Sequence, residues 1–60
     1  MWTVKMLRGS KPPVIRQDEF KGRAWQRASD LQGLHSVPDS KVHIDDDAKL
    51  IIIDATEYYS

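Results

Sequence analysis

Lys49-Leu50-Ile51-Ile52-Ile53-Asp54 contains the longest uninterrupted apolar run in the chain. Three consecutive isoleucines are stiff at χ1 and favour a pleated strand over a helix. The run is also too short for an ordinary helix, so we predict a strand. Ile51 and Ile53 lie on one face of that strand and Leu50 and Ile52 on the other. Both faces therefore need cover, one from a helix and the other from a second layer, a partner or another copy of the chain.

The length of 60 residues predicts one small domain over residues 1–60. A chain of this size buries only about 60% of its unfolded surface, so its core is small. The sequence has no cysteine, which excludes disulfides and zinc–thiolate sites and fits a cytoplasmic location. No apolar run approaches the ~20 residues that span a bilayer, and no secretory signal is recognisable, so we expect no membrane association.

The N-terminal half of the chain predicts two extended segments and one helix. Residues 2–7 alternate between apolar and polar side chains, which is typical of a half-buried strand. Residues 8–13 contain one glycine and two prolines and predict a loop, and residues 14–16 predict a short edge strand. Asp18 is the expected N-cap of a helix over 19–32.

The predicted helix carries one apolar stripe at helical spacing, and Gly33 is its expected C′ residue. Its small alanines would let the helix lie close to a sheet. The stripe consists of Phe20, Ala24, Ala28 and Leu31, widened by Trp25 and Leu34.

The C-terminal half predicts a hairpin. Residues 41–45 alternate, with Val42 and Ile44 facing inward, and the aspartates at 45–47 predict a turn into a strand over 48–54. Two conformations are open for the tail at 55–60. A capping-box pattern in its first part favours one helical turn, but we prefer continuation of the strand or a frayed end.

These elements predict an α+β fold with the order β-β-α-β-β. We expect a small two-layer unit in which one central helix covers one face of an antiparallel sheet.

Charge is divided unevenly along the chain, although the net charge is zero. Residues 1–30 hold seven basic and three acidic residues, a balance of +4, and residues 31–60 hold two basic and six acidic residues, a balance of −4. Two solvated surfaces that attract each other within one fold explain this division. A nucleic-acid-binding face is the alternative explanation.

The sequence does not favour enzyme chemistry or a bound cofactor. Asp45-Asp46-Asp47 lacks the spacing of a calcium-binding loop, and His35 and His43 have no neighbouring metal donors. Ser36 beside His35 is not the geometry of a nucleophile with its base, and the glycines match no phosphate-binding pattern. We therefore expect no catalytic residue, no metal site and no cofactor.

Because the sequence favours no catalytic, metal or cofactor site, two hypotheses for function remain. The first is a non-enzymatic interaction module that binds another protein, or pairs weakly with a second copy, through apolar and aromatic side chains. Its candidate residues are Trp25, Leu50, Ile52, Tyr58 and Tyr59. The alternative is a nucleic-acid-binding protein, which would use phosphate contacts from one basic surface. Its candidate residues are Arg8, Lys11, Arg16, Arg23 and Arg27.

The opening Met1-Trp2-Thr3-Val4-Lys5-Met6-Leu7-Arg8-Gly9-Ser10 resembles that of small early-region proteins of lambda-like bacteriophages. This resemblance covers about one sixth of the chain. It implies a host cytoplasmic setting and an accessory role as a regulator or inhibitor of a host protein. It assigns no site residue.

Overall fold

A computed structural model describes residues 1–58, which form a four-stranded mixed sheet and one long helix. The α+β class and the order β-β-α-β-β are confirmed. The strands are β1 (Trp2–Arg8), β2 (Lys11–Asp18), β3 (Val42–Asp45) and β4 (Leu50–Asp54). The helix is α1 (Lys21–Leu34), and single 3₁₀ turns occupy Asp39–Lys41 and Thr56–Tyr58.

The prediction of an all-antiparallel sheet is wrong for the central pair of strands, which is parallel. The spatial order is β2-β1-β4-β3, and β1 runs parallel to β4, with Thr3 beside Leu50 and Leu7 beside Asp54. The two outer pairs are antiparallel. The helix explains the parallel pair, because its 14 residues rise about 21 Å and carry the chain back along the sheet. β3 then returns along the sheet, and β4 takes the direction of β1.

One apolar cluster joins the sheet to the helix. It combines the even-numbered side chains of β1 with alternate isoleucines of β4, as the two alternation patterns predict. Ile51 and Ile53 are the isoleucines that meet the helix, and both have no exposed surface. Ala24 and Ala28 supply the small helix surface that allows close packing. The buried members are Trp2, Val4, Met6, Ala24, Ala28, Val37, Ile51, Ile53 and Ala55.

The helix begins two residues later than predicted, and Asp18 is not its N-cap. Phe20 occupies the N-cap position, and its side chain makes no capping hydrogen bond. Asp18 belongs to β2, where it pairs with Trp2, and its carboxylate accepts the Phe20 N–H at 3.2 Å. The aspartate therefore turns the chain out of the strand one step before the helix starts.

The helix also continues past Gly33, which the sequence predicted as its C′ residue. Ser36 takes the left-handed conformation instead, at φ 56°. The Ser36 N–H donates to the Gly33 carbonyl and the Val37 N–H to the Gln32 carbonyl, which is the pattern of a Schellman motif. Val37 is buried in the core, so its packing fixes where the helix ends.

The predicted apolar stripe is only partly buried. Ala24 and Ala28 are buried and Leu31 packs against the core, but Phe20 is 59% exposed and Leu34 is exposed. Phe20 precedes the helix and Leu34 is its last residue, so neither reaches the sheet.

β2 is longer than the predicted segment 14–16 and includes both prolines of the expected loop at 8–13. The connection from β1 is only Gly9-Ser10, with Gly9 at φ 65°. Proline is tolerated in β2 because this strand lies at the edge of the sheet.

The second hairpin is confirmed, with its turn at the aspartates. The Asp45 carboxylate accepts the N–H groups of Asp47 and Ala48 at 3.1 Å each. Lys49 has φ 53°, so β4 begins at Leu50 and not at residue 48.

Two further expectations for this half of the chain are corrected. Val42 packs against the core, but Ile44, on the edge strand, is 41% exposed. Residues 55–58 of the tail do not continue the strand and contain a 3₁₀ turn at Thr56–Tyr58, and residues 59–60 lie outside the described part of the chain. The Asp54 carboxylate accepts the Thr56 N–H at 3.1 Å, which supports the turn.

Candidate interaction surfaces

The sheet presents a second face, opposite the helix, which we call the open face. Directly opposed residues in neighbouring strands lie on the same face of a sheet, so the side chains of the open face form rows across the strands. One row crosses all four strands as Ile15, Lys5, Ile52 and His43. The open face comprises Thr3, Lys5, Leu7, Ile15, Gln17, His43, Asp45, Leu50, Ile52 and Asp54.

Aliphatic side chains surround a single lysine at the centre of the open face. Ile15 and Ile52 flank Lys5 across the strands, and Leu7 is two residues further along β1. Ile15 is 51% exposed, whereas Leu7, Leu50 and Ile52 are half-buried. The stem of Lys5 covers part of this apolar surface and leaves its ammonium group for contact with an acceptor.

The outer edge of β2 is partly closed to further strand pairing. Thr3 N–H donates to Lys49 O, so odd-numbered residues of β1 direct their backbone groups to β4 and even-numbered ones to β2. Since Val4 pairs with Arg16, the backbone groups of Ile15 and Pro13 point outward. Pro13 has no N–H to offer, and the Ile15 carbonyl accepts the Arg16 guanidinium at 3.0 Å.

The edge at β3 is four residues long and is also partly closed. His43 and Asp45 are the residues of β3 that direct their backbone N–H and C=O groups to β4, so Val42 and Ile44 direct theirs outward. The Val42 N–H already donates to the Asp39 carbonyl of the preceding 3₁₀ turn. Because both edges are short or blocked, the faces offer more contact surface than the edges do.

A second surface is a groove between α1 and β2, which we call the arginine groove. It consists of two shallow depressions that share Arg27 and Asp30. One is also lined by Asp18, Arg23 and Gln26, and the other by Arg16 and Leu31.

Asp18 holds one of these arginines in place. Its Oδ2 atom accepts the Arg27 Nε–H at 3.3 Å, while its Oδ1 accepts the Phe20 N–H. The backbone hydrogen bond from Phe20 is the main cause that lowers the pKa of Asp18. Burial opposes this shift, and the hydrogen bond from Arg27 and the charges of Arg27 and Arg23 lower the pKa further. The guanidinium of Arg23 lies over the Phe20 ring, 5.5 Å from its centroid.

The five candidate protein-binding residues do not form one surface. Leu50 and Ile52 lie together on the open face, as the alternation of β4 requires. Trp25, 38% exposed, belongs to the helix on the other side of the sheet. Tyr58 is 44% exposed in the 3₁₀ turn after β4, and Tyr59 lies outside the described residues.

The five candidate nucleic-acid-binding residues divide into two groups. Arg27 lines both depressions of the arginine groove, with Arg23 in one of them and Arg16 in the other. Arg8 and Lys11 lie at the turn between β1 and β2, five residues or about 17 Å along the strand from Arg16. The Arg8 guanidinium donates to the Pro12 carbonyl at 2.7 Å.

The acidic turn between β3 and β4 is bound to the rest of the fold through Asp46. Its carboxylate pairs with Lys21 Nζ at 2.6 Å, and that ammonium lies 5.3 Å from the centroid of the Trp2 ring. Within residues 1–58, no three histidine or carboxylate side chains are grouped to hold a metal ion.

Comparison with protein-family models, curated proteins and solved structures finds no match to this chain. In the described part of the chain, no helix combines the length and apolar character needed to cross a membrane.

Proposed function

We propose that this protein is a non-enzymatic interaction module that binds another protein through its open face. The observation that supports the proposal is the group of four aliphatic side chains around Lys5, on the sheet face opposite the helix. Contiguous apolar surface of this kind is typical of association sites. The accessory, host-modulating role implied by the resemblance to phage early-region proteins belongs to the same proposal.

The chemistry of the open face describes the partner it would suit. Leu7, Ile15, Leu50 and Ile52 would contact an apolar surface, and the central ammonium of Lys5 would meet a carboxylate or a carbonyl. The rim carries Asp45 and Asp54, so a basic residue at the partner's margin would complete the contact.

A second copy of the chain is one partner with an apolar face of this kind. Such a dimer would be weak, since a standard interface buries roughly 800 Å² per partner and the open face offers only four aliphatic side chains. We therefore include a weak homodimer through the open face in the proposal.

The test uses two exposed isoleucines on opposite edge strands. Ile15→Glu alters the open face, and Ile44→Glu is the matched control because Ile44 points to the helix side. Affinity capture from nuclease-treated lysate should retain a partner with wild-type protein and Ile44→Glu and lose it with Ile15→Glu. A partner that is retained equally by both variants would refute the open-face proposal.

Binding of nucleic acid is the second candidate function, favoured by Arg23 and Arg16, which line adjoining depressions on either side of Arg27. The separation of Arg8 and Lys11 from this group weakens it, because a bound strand would need phosphate contacts along a continuous basic surface. A titration with duplex and single-stranded oligonucleotides at low salt tests this candidate.

A further inference from the structure

We propose that the partner of the open face is a second copy of this chain, packed face to face about a two-fold axis that runs parallel to the strands between β1 and β4. The inference rests on the proposed function and deepens it, because it names the partner and its orientation. The open face suits an apolar surface that carries an acceptor for Lys5 and a cation for Asp54. A second open face carries all three, so this surface is complementary to itself.

Lys5 is a half-buried cation that has no ion pair within residues 1–58. Asp54 is its diagonal neighbour on β4, two residues beyond Ile52, yet the two side chains do not pair within one chain. An unpaired cation among aliphatic side chains is attracted most strongly by a carboxylate that covers the same surface, because that contact also excludes water.

Asp54 is a carboxylate that can fill this role in a second copy. It is half-buried on the open face, and its Oδ1 atom accepts the Thr56 N–H at 3.1 Å. Hydrogen bonds from the side chain and backbone of Thr56 lower the pKa of Asp54, so its carboxylate is ionised at neutral pH. Because a carboxylate has about four acceptor sites, Asp54 can also accept a lysine.

The positions of these two charges select the axis. Rotation about an axis parallel to the strands keeps their direction and places β1 of one copy over β4 of the other, since these are the two central strands. Lys5 then lies opposite Ile52 of the second copy, about 7 Å along the strand from Asp54 of that copy and about 10 Å across the interface. The flexible four-carbon stem of lysine and the aspartate side chain together bridge this separation. An axis across the strands at the level of Lys5 would instead oppose the two ammonium groups.

The same axis brings the apolar side chains of β4 together. Leu50 and Ile52 of each copy lie next to the axis and pack against those of the other copy, while the stem of Lys5 covers Ile52 of the second copy. Two ion pairs related by the axis close one end of this cluster. With so few aliphatic side chains at the contact, we expect a dissociation constant in the high micromolar range.

Charge reversal tests the arrangement, with dissociation constants measured by sedimentation equilibrium at pH 7.5 and low salt. Lys5→Glu and Asp54→Lys should each weaken the dimer at least about tenfold, because each substitution acts at two symmetry-related contacts. An equimolar mixture of the two variants should associate about as tightly as wild type, since opposite charges then meet at both contacts. Within either variant chain, positions 5 and 54 carry like charges, so the rescue reports only contacts between chains.

Arg23→Glu is the matched control, a charge reversal of the same size on the helix. It should leave the dimer unchanged, and its mixture with Asp54→Lys, which has the same net charges as the rescuing mixture, should associate less. If Asp54→Lys does not fold, Asp54→Asn keeps an acceptor for the Thr56 N–H. Lys5→Glu should then weaken the dimer less in the Asp54→Asn background than in wild type. Circular dichroism checks that each variant retains the fold.

Two results would overturn the proposal. Wild-type protein that is monomeric at high micromolar concentration would exclude a second copy as the partner, whereas loss of a captured partner on Ile15→Glu would still support the open face as a binding site. A dimer that Lys5→Glu leaves intact, or a rescuing mixture that associates no more than the control mixture, would show that Lys5 does not pair with Asp54 across the interface.

Discussion

Ile51 and Ile52 are adjacent in β4 but face opposite sides of the sheet, so they provide a matched pair for measuring what each face contributes. Ile51 has no exposed surface and packs in the core, whereas Ile52 is half-buried on the open face. Removing a fully buried isoleucine side chain to alanine costs about 3 kcal/mol, counting both lost transfer energy and the cavity. For Ile52, with no layer above it to form a cavity, we expect about 1 kcal/mol.

The magnitude matters because the whole domain has little stability to lose. For 60 residues the free energy of unfolding is about 3–9 kcal/mol. Ile51→Ala therefore removes a third or more of it, and Ile51→Val, at about 1 kcal/mol, keeps the measurement in range if the alanine variant does not fold.

Urea denaturation at micromolar protein concentration, followed by circular dichroism, measures both variants. The midpoint should fall much further for Ile51→Ala than for Ile52→Ala, with similar slopes. Equal losses for the two variants would show that both faces are equally covered, and the description of an open face would then be wrong.

Three further outcomes follow from particular residues. Gly33→Ala should stabilise the protein by about 1 kcal/mol in thermal melts, since Gly33 lies inside the helix with open space at its Cβ position. Ser36→Gly should also stabilise it, because Ser36 has a positive φ that glycine adopts without strain. A loss of stability on Gly33→Ala would show that Gly33 is the C′ residue after all. Hydrogen bonds lower the pKa of Asp18 and of Asp54 below the ordinary value of 3.8. Their stabilisation is therefore fully present above pH 3.8 and is lost below it, as the pH falls through the lower pKa of the folded state; asparagine variants should show a shallower acid transition. Sedimentation equilibrium at high micromolar concentration should detect a weak dimer that Ile15→Glu abolishes, and a clean monomer mass of about 6.9 kDa for wild type would exclude it.

Alternation in the sequence predicted which side chains share a face in the two central strands, but in β4 it left open which of the two faces meets the helix. Trp2, Val4 and Met6 occur at every second position, and so do Ile51 and Ile53, because one buried face enforces a period of two. The same alternation placed Leu50 and Ile52 on the opposite face. It also places Lys5 and Leu7 there, two members of the open face that the predicted site did not include.

The direction of the central pair could not be read from β1 or β4 alone. Parallel pairing follows from the length and path of the helix, which is a property of the whole chain. Ile15 lies in the predicted edge strand at 14–16 but was not named as a site residue. The prolines suggested a loop at 8–13 and made that predicted strand too short, although a proline whose nitrogen faces solvent is compatible with an edge strand.

The helix ends were mispredicted because tertiary contacts outweighed local signals. Asp18 has the chemistry of an N-cap, but its pairing with Trp2 keeps it in β2. Gly33 has the chemistry of a C′ residue, but the burial of Val37 shifts that role to Ser36. The arginine groove was only partly predictable, since it depends on which side of α1 lies over β2.

The parallel contact between β1 and β4 has a consequence for how the chain folds. Thr3 lies beside Leu50, so the middle of the sheet closes a loop of more than forty residues. Closing such a loop precedes any gain from its contacts, which slows folding relative to a helical domain of equal size. During synthesis, the hairpin of β1 and β2 leaves the ribosome before α1 covers its apolar face and before β4 completes the core. Over that interval the nascent chain exposes Val4 and Met6, and chaperones that bind apolar segments would have their best access to it.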